Sequence, residues 1–258
     1  MTGSLAVVGL GPGAPDLLTD SARAALDRAQ DLVGYVPYVA RVPERPGLVR
    51  HASDNRVEVD RARHALELAA AGRHVAVVSG GDPGVFAMAA AVFEALERGD
   101  PAWRALDITV EPGITAMLAA AARLGAPLGG DFCALSLSDN LKPWEILTAR
   151  LEAVLRADLV VALYNPISSA RPWQLGAALD LAAGIRAADT PVVFARAVWR
   201  PDEAIRVMTL TDARDAPADM ATLVLIGASA TRLIPRGPGQ RPFVYTPRSV
   251  GAPSAAAS

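Results

Sequence analysis

The apolar positions of the first half of the chain alternate between short continuous runs and stretches with helical spacing. Runs at 5–8, 31–35, 74–78 and 108–110 predict strands, because short apolar runs ended by glycine or polar residues are typical of buried strands. Residues spaced three or four apart predict the intervening helices, with the stripes Ala22, Ala25, Leu26 and Ala29; Val59, Ala62, Leu66 and Ala69; and Phe86, Ala89, Phe93 and Leu96. Thr19 is the expected cap of the first helix. This alternation predicts a largely parallel sheet.

The second half begins with a short predicted helix at 115–124 and a glycine-rich stretch at 125–130, which we interpret as a linker. Strands are expected at 133–137, 159–163, 192–195, 205–210 and 222–226, with helices opened by Pro143 and Pro172. The last two strands follow each other without a long helix, which indicates an antiparallel addition. We therefore predict two α/β domains in tandem, residues 1–125 and 126–245, with a mostly parallel first sheet and a mixed second sheet.

Composition narrows the possible partners. The 258 residues carry a formal net charge of −2, and basic residues are dispersed among acidic ones, so no nucleic-acid-binding face is expected. Charged residues, glycine or proline interrupt every apolar run, which excludes a membrane span, and the N-terminus lacks the pattern of a secretory signal. We expect a cytoplasmic protein whose tail, 246–258, is flexible, within a Pro-, Gly-, Ala- and Ser-rich end from Gly237 that is partly ordered at most.

The few cysteine and histidine residues indicate no metal centre of the protein's own. Cys133 is the single cysteine, lies in an apolar run and is interpreted as core packing. His51, His64 and His74 are not expected to form a ligand cluster, because His64 falls in a predicted helix and His74 begins a predicted strand.

The first glycine loop, residues 9–14 (GLGPGA), matches the G-x-G-x-x-G/A pattern of dinucleotide-binding folds between a strand and a helix. Two features argue against a dinucleotide. Pro12 and Pro15 delay the helix whose N-terminus would meet the pyrophosphate, and the second strand ends in Val33-Gly34-Tyr35 where an acid would bind the ribose.

The second glycine loop, residues 79–84 (SGGDPG), also follows a predicted strand, at the edge of the sheet where α/β proteins bind ligands. Adjacent glycines allow close backbone approach, and Asp82 could accept hydrogen bonds from ribose hydroxyls or an amine. The alternative is a purely structural Asp-Pro turn that caps a helix starting at Val85.

Four segments together carry a resemblance to a known family: VVGLGPGAPDLLT, SGGDPGVF, EPGITA and TLVLIGAS, in this order within residues 4–230. With them the sequence resembles the tetrapyrrole methylase family, the class III methyltransferases. The segments HASDNR, SLSDN and YNPISS are most similar to the members that methylate C17 of precorrin-3B. Members that act on other ring carbons tend to carry Met or a similar residue where this chain has Asn165.

The resemblance implies an S-adenosylmethionine donor folded between two domains, and a tetrapyrrole acceptor that is methylated at C17 as the ring contracts to precorrin-4. The implied donor contacts are Pro12, Gly80, Gly81, Asp82, Val85, Thr115, Ala116 and Asn165. Gly11 and Arg56 are the implied substrate contacts, and similar proteins are homodimers. Whether the acceptor contains cobalt is left open.

Three carboxyl groups are candidates for proton transfer during ring contraction: Asp54, Glu111 and Asp139. A carboxyl group in an apolar cleft can have its pKa raised towards neutrality, although each of these residues can equally be a turn or cap residue. Two alternatives remain for the function. One keeps the donor and changes the acceptor to another precorrin carbon, uroporphyrinogen III, RNA or a protein side chain. The other is a corrinoid-binding protein without catalysis.

Overall fold

The computed structural model describes residues 3–54 and 57–249. The chain divides into two compact units, Met1–Ala116 and Met117–Ser258. The boundary predicted from the sequence, after residue 125, lies one short helix further along the chain than this division. The existence of two independently folding domains stays a prediction.

The first unit contains a five-stranded sheet in the order β3-β2-β4-β1-β5, in which every pairing is parallel. Its elements are β1 (Ser4–Gly9), α1 (Asp20–Arg28), β2 (Asp31–Tyr35), α2 (Val36–Val39), β3 (Val49–Ser53), α3 (Glu58–Ala70), β4 (His74–Ser79), α4 (Met88–Arg98) and β5 (Asp107–Glu111). The predicted parallel sheet is confirmed. Strand β3 was not predicted, because its sequence VRHAS has no apolar run.

The two faces of this sheet bury different helices. Alternating strand residues such as Val7 and Val77 pack with α3 and α4 on one face. Their neighbours Val8 and Val78 pack with α1 and α2 on the other. Thr19 caps α1 as predicted, since its Oγ1 accepts a hydrogen bond from the Ala22 amide at 3.2 Å.

The predicted stripe for α4 is wrong in two positions. The helix begins at Met88, and Phe86 lies before it in a turn with φ +52°. Phe93 is half exposed, whereas Met88 and Val92 are buried. Ser79 Oγ fixes this start by accepting a hydrogen bond from the Met88 amide at 3.2 Å, so the buried stripe is rotated relative to the predicted one.

The second unit contains a five-stranded sheet in the order β10-β9-β11-β8-β7 and a three-stranded sheet in the order β12-β13-β6. Its elements are α5 (Ala116–Leu124), β6 (Gly125–Ala126), β7 (Phe132–Ser136), α6 (Trp144–Arg156), β8 (Val160–Tyr164), α7 (Gln174–Ala183), β9 (Pro191–Arg196), β10 (Ala204–Thr209), α8 (Leu210–Ala213), β11 (Thr222–Ile226), β12 (Arg232–Ile234) and β13 (Phe243–Tyr245). Strands β7 and β8 are parallel and the remaining pairs of the larger sheet are antiparallel, so the mixed sheet is confirmed.

The smaller sheet corrects two expectations. Gly125–Ala126, within the expected linker, is a strand paired with Phe243–Tyr245. The next residue, Thr246, is buried and donates a hydrogen bond to the Pro127 carbonyl at 2.7 Å. Order therefore extends into the predicted tail, whose residues 250–258 lie outside the described residues.

Helix α5 is held by side chains of the second unit. The Met117 amide donates to the hydroxyl of Tyr164 at 3.1 Å, and Trp199 Nε1 donates to the Ala119 carbonyl at 3.2 Å. Cys133 is only partly buried, because β7 is an edge strand, so the expectation of a core cysteine is wrong. None of the helices in the described part of the chain has the length and apolar composition of a membrane span.

Candidate functional site

The three central loops of the first unit meet at one edge of its sheet. Strand β1 leads through α1 to β2 on one side, while the adjacent β4 leads through α4 to β5 on the other. Neighbouring strands whose connections leave in opposite directions create a crevice at their carboxyl ends, which is where open α/β sheets bind ligands. The predicted donor residues from Pro12 to Ala116 follow β1, β4 and β5, and the fold brings them together here.

Gly11 and Gly81 lock the first two loops to each other. The Gly11 amide donates to the Gly81 carbonyl at 3.1 Å, and the Gly81 amide donates to the Gly11 carbonyl at 2.9 Å. Both residues have positive φ, +61° and +68°, which glycine adopts without strain. Arg41, which the sequence analysis did not identify, donates from Nη2 to the carbonyls of Leu10 and Gly11 at 2.7 and 3.0 Å.

Asp82 joins the second loop to the third. Its Oδ1 accepts from the Gly84 amide at 2.8 Å, and its Oδ2 accepts from the Gly113 amide at 3.0 Å. The first contact is the turn that the structural alternative predicted, but the helix begins at Met88 and not at Val85. Each carboxylate oxygen has two acceptor positions, so this arrangement leaves acceptor capacity for a ligand.

The loop after β5 packs backbone against backbone. A Cβ built on Gly113 would lie 2.2 Å from the Gly81 carbonyl oxygen, which leaves space for hydrogen only. Thr115 is buried, and its Cα lies 3.5 Å from a Cβ built on Gly81. This packing places Thr115 and Ala116 beside the second glycine loop.

The remaining predicted contacts of this unit surround the same loops. Pro12 is buried, and Val85 is half-buried in the turn before α4. Gly80 packs on the ring of Tyr38, because a Cβ built there would lie 2.7 Å from Tyr38 Cε1. Tyr38 was not identified from the sequence, which gives no signal that α2 covers the loop.

Asn165 lies in the second unit, directly after β8. Its φ of +51° is unusual for a residue other than glycine and is tolerated best by Asn and Asp. Its Nδ2 donates to Ser136 Oγ at 2.9 Å, and the same oxygen accepts from the Ser138 amide at 3.3 Å. Since β7 and β8 are parallel, the side chain is fixed at their shared carboxyl edge.

Asp139 belongs to a network at that edge. Its Oδ2 accepts from Gln174 Nε2 at 3.1 Å, and its Oδ1 lies 4.0 Å from Arg171 Nε. Arg171 is buried and donates from Nη1 to the Asn165 carbonyl at 3.2 Å. The network braces the loop that carries Asn165, a function that SLSDN and YNPISS did not reveal by themselves.

The other two candidate acids lie far apart. Asp54 is exposed after β3, while Glu111 ends β5 and accepts from Thr109 Oγ1 at 2.9 Å. Strands β3 and β5 are opposite edges of the five-stranded sheet, roughly 19 Å apart at strand spacing. The fold therefore does not bring these two acids together. Arg56, the implied substrate contact, lies outside the described residues.

The histidines depart from expectation in one respect. His51 Nδ1 and His64 Nε2 lie 3.1 Å apart, and His51 Nε2 lies 2.9 Å from Asp31 Oδ1. The described residues contain no group of three or more His, Cys, Asp or Glu side chains arranged to hold a metal.

The fold and the site together define the class of protein. The first unit has a parallel sheet with glycine-lined loops where the chain connections leave in opposite directions, and the second unit has a mixed sheet. This arrangement is typical of ligand-binding α/β proteins. The chain matches the model of the tetrapyrrole (corrin/porphyrin) methylases over residues 4–214, and it belongs to that family.

Individual relatives agree with this assignment. The chain is 56% identical to a precorrin-3B C(17)-methyltransferase of a Sinorhizobium species, over 96% of this chain and 97% of the relative. A crystal structure of the methyltransferase CobJ superposes with a TM-score of 0.88 at 55% identity, covering 95% of this chain and all of that one. A uroporphyrin-III C-methyltransferase of Thermus thermophilus, complexed with S-adenosylhomocysteine, shares the fold with a TM-score of 0.65 at 22% identity, over 87% of this chain and 97% of that chain.

Proposed function

We propose that the protein transfers a methyl group from S-adenosylmethionine to C17 of precorrin-3B, with contraction of the macrocycle to precorrin-4 in cobalamin biosynthesis. The observation that carries this proposal is the near full-length similarity to a precorrin-3B C(17)-methyltransferase. The convergence of the three glycine loops on one sheet edge supplies the ligand-binding geometry.

The loops of the first unit fit a donor of this chemistry. S-adenosylmethionine carries a positive sulfonium, an amine and ribose hydroxyls, all of which a carboxylate attracts or accepts hydrogen bonds from. Asp82 provides that carboxylate, held by two backbone amides. We assign donor binding to Pro12, Gly80, Gly81, Asp82, Val85, Thr115 and Ala116, with Asn165 as the contact from the second unit.

Methyl transfer requires alignment more than acid–base catalysis. The donor supplies an activated methyl group, and in-line displacement gains mainly from holding the two reacting centres together. Residues of this chain supply rigidity: the Gly11–Gly81 pair and Arg41 fix one loop, and Ser136 fixes Asn165. Among the candidate acids, Asp139 is linked to Asn165, a proposed donor contact, through Arg171.

The test is single-turnover incubation of the purified chain with [methyl-¹³C]S-adenosylmethionine and precorrin-3B, followed by mass spectrometry and NMR of the product. We expect one added methyl group, located at C17 of a contracted ring. A methyl group at another carbon would show that C17 is not the acceptor carbon. A parallel incubation with the cobalt-containing counterpart of precorrin-3B decides which form of the substrate is used. Binding of tetrapyrrole without binding of S-adenosylhomocysteine would instead support the corrinoid-binding alternative.

The donor site is tested separately at Asp82. We expect Asp82→Ala to weaken S-adenosylhomocysteine binding by about tenfold or more, since a hydrogen bond to a charged group contributes roughly 1.5–3 kcal/mol. Asp82→Asn keeps one carbonyl oxygen that can accept from a backbone amide, but it removes the charge. Comparison of the two variants by calorimetry therefore separates the effect of Asp82 on the loop structure from its contact with the ligand. Unchanged affinity in both variants would remove Asp82 from the donor site.

We also propose that the protein is a cytoplasmic homodimer. The hairpin of β12 and β13 supports this, because Ile234 and Phe243 are paired across its two strands on one face and leave 47% and 44% of their surface exposed. Clustered apolar side chains of this kind mark interaction surfaces. Light scattering across a dilution series tests the dimer, with Ile234→Glu expected to shift the mass to that of one chain.

A further inference from the structure

A hollow of about 560 Å³ lies in the second unit, lined by segments 167–169 and 218–221. Strand β11 runs antiparallel to β8, so the segment before β11 lies at the edge where β8 ends. The hollow is therefore on the same edge of the sheet as Asn165. Its volume is within the range of small-molecule sites.

The lining combines apolar surface with hydroxyl groups. Ile167 and Met220 provide the apolar part, and Met220 is 46% exposed. Ser168 and Ser169 provide hydroxyls. Methionine is unbranched and has three rotatable bonds, so the side chain of Met220 can move aside for a ligand at low cost.

A buried cation lies behind Met220. Arg171 Nη2 donates to Met220 Sδ at 3.8 Å, and a thioether is a weak acceptor. The nearest carboxylate to this guanidinium, Asp139, stands 4.0 Å from Nε, which is too long for a hydrogen bond. A ligand carboxylate that displaced the sulfur would gain a charge-assisted hydrogen bond from Nη2.

The acidic residue in the lining, Asp219, is already paired with a cation. Asp219 Oδ2 accepts from Arg196 Nε at 2.7 Å, and Oδ1 accepts from the Ala221 amide and from Thr222 Oγ1 at 3.0 and 2.8 Å. Burial raises the pKa of Asp219, but these hydrogen bonds outweigh it and the pKa is lowered. Asp219 thus stays ionised and paired with Arg196, which itself also binds Asp202.

We propose that this hollow is a subsite for a carboxylate-bearing arm of the tetrapyrrole acceptor, with Arg171 as the cation that receives the carboxylate once Met220 turns aside. The proposal rests on the proposed function for the identity of the ligand. A tetrapyrrole matches the hollow in chemistry, because its ring is apolar and its acetate and propionate arms end in carboxylates.

The test compares Met220→Asp with Met220→Asn, which have nearly the same shape and differ in charge. A fixed carboxylate at position 220 would occupy Arg171 and repel the ligand, so we expect the KM for precorrin-3B to be about tenfold higher in the Asp variant than in the Asn variant. S-adenosylhomocysteine affinity is measured in each variant as a check on folding, with Met220→Glu and Met220→Gln as the substitute pair.

A second readout does not depend on turnover. Fluorescence titration with uroporphyrin, a stable tetrapyrrole rich in carboxylates, should show the same order of affinities, and the difference should shrink at high salt. Equal KM and equal uroporphyrin affinity in the Asp and Asn variants would overturn the subsite. A wild-type chain that binds uroporphyrin with this charge dependence but transfers no methyl group would instead contradict the proposed function alone.

Discussion

At the scale of single residues, the candidate site depends on backbone atoms as much as on side chains. Gly113 shows this most directly, since a Cβ built on it would lie 2.2 Å from the Gly81 carbonyl oxygen. We expect Gly113→Ala to lower the free energy of unfolding by about 1–3 kcal/mol, because the added methyl group must push one loop away. S-adenosylhomocysteine affinity should fall with it, as measured by calorimetry.

A matched glycine provides the control. Gly184 ends α7 with ordinary negative φ, and a Cβ built there meets its nearest atom at 3.5 Å. Gly184→Ala should change the unfolding free energy by less than about 0.5 kcal/mol in the same urea titration. Equal effects of the two substitutions would mean that the loops tolerate displacement.

At this scale the types of residue at the site can be predicted from the sequence better than their partners can. A glycine-aspartate loop after a buried strand indicates a binding edge, and Asp82 stands there. Its bond to the Gly113 amide joins positions 31 residues apart, and no local pattern encodes such a pairing. Arg41 and Tyr38 were missed for the same reason, because both reach the loops from α2 and the turn that follows it.

At the scale of elements, long apolar stripes were predicted well and short pairings were not. Strands β2 and β11 have the predicted bounds, since apolar runs buried on both faces are visible in sequence. Strands β3 and β6 lack such runs and form through pairing, while the apolar run of β13 is only three residues long. The glycines at 125–130 indicate a linker from the sequence alone. The composition of this segment does not show which side chains of the second unit contact α5.

Helix α5 is attached to the second unit by one aromatic side chain in particular. Trp199 donates from Nε1 to the Ala119 carbonyl, and its ring lies under the Arg123 guanidinium at 3.5 Å. Its backbone amide and Arg123 Nε both donate to the Glu203 carboxylate. Trp199→Phe removes the donor and should cost about 1 kcal/mol of stability, whereas Trp199→Leu also removes the cation–π contact and should cost about 2–3 kcal/mol.

Urea unfolding followed by circular dichroism measures both variants of Trp199. Trp173 is a suitable control, because it is half exposed and its ring contacts Trp144 edge to face. Trp173→Leu should cost less than about 1 kcal/mol. If Trp199→Leu were no more destabilising than Trp173→Leu, the attachment of α5 would depend on other contacts.

At the scale of the whole molecule, the end of the first sheet opposite the glycine loops holds a buried charge that links stability to pH. Asp31 begins β2, is 2% exposed, and accepts hydrogen bonds from Arg73 Nε at 2.7 Å and from His51 Nε2 at 2.9 Å. Burial raises the pKa of Asp31, but the hydrogen bonds from Arg73 and His51 outweigh it and the pKa lies below its ordinary value.

A carboxyl group with a lowered pKa stabilises the folded state only while it is ionised. Its contribution is complete above the unfolded-state pKa near 3.8 and disappears as the pH falls through the lower folded-state pKa. Asp31→Asn should therefore destabilise the protein by about 1–3 kcal/mol at pH 5, and the difference from the wild type should shrink towards pH 2.5. The other carboxyl groups are common to both proteins, so the difference between the wild type and Asp31→Asn in urea titrations at each pH isolates the contribution of Asp31. A difference that stays constant over this range would show that its charge does not contribute to folding.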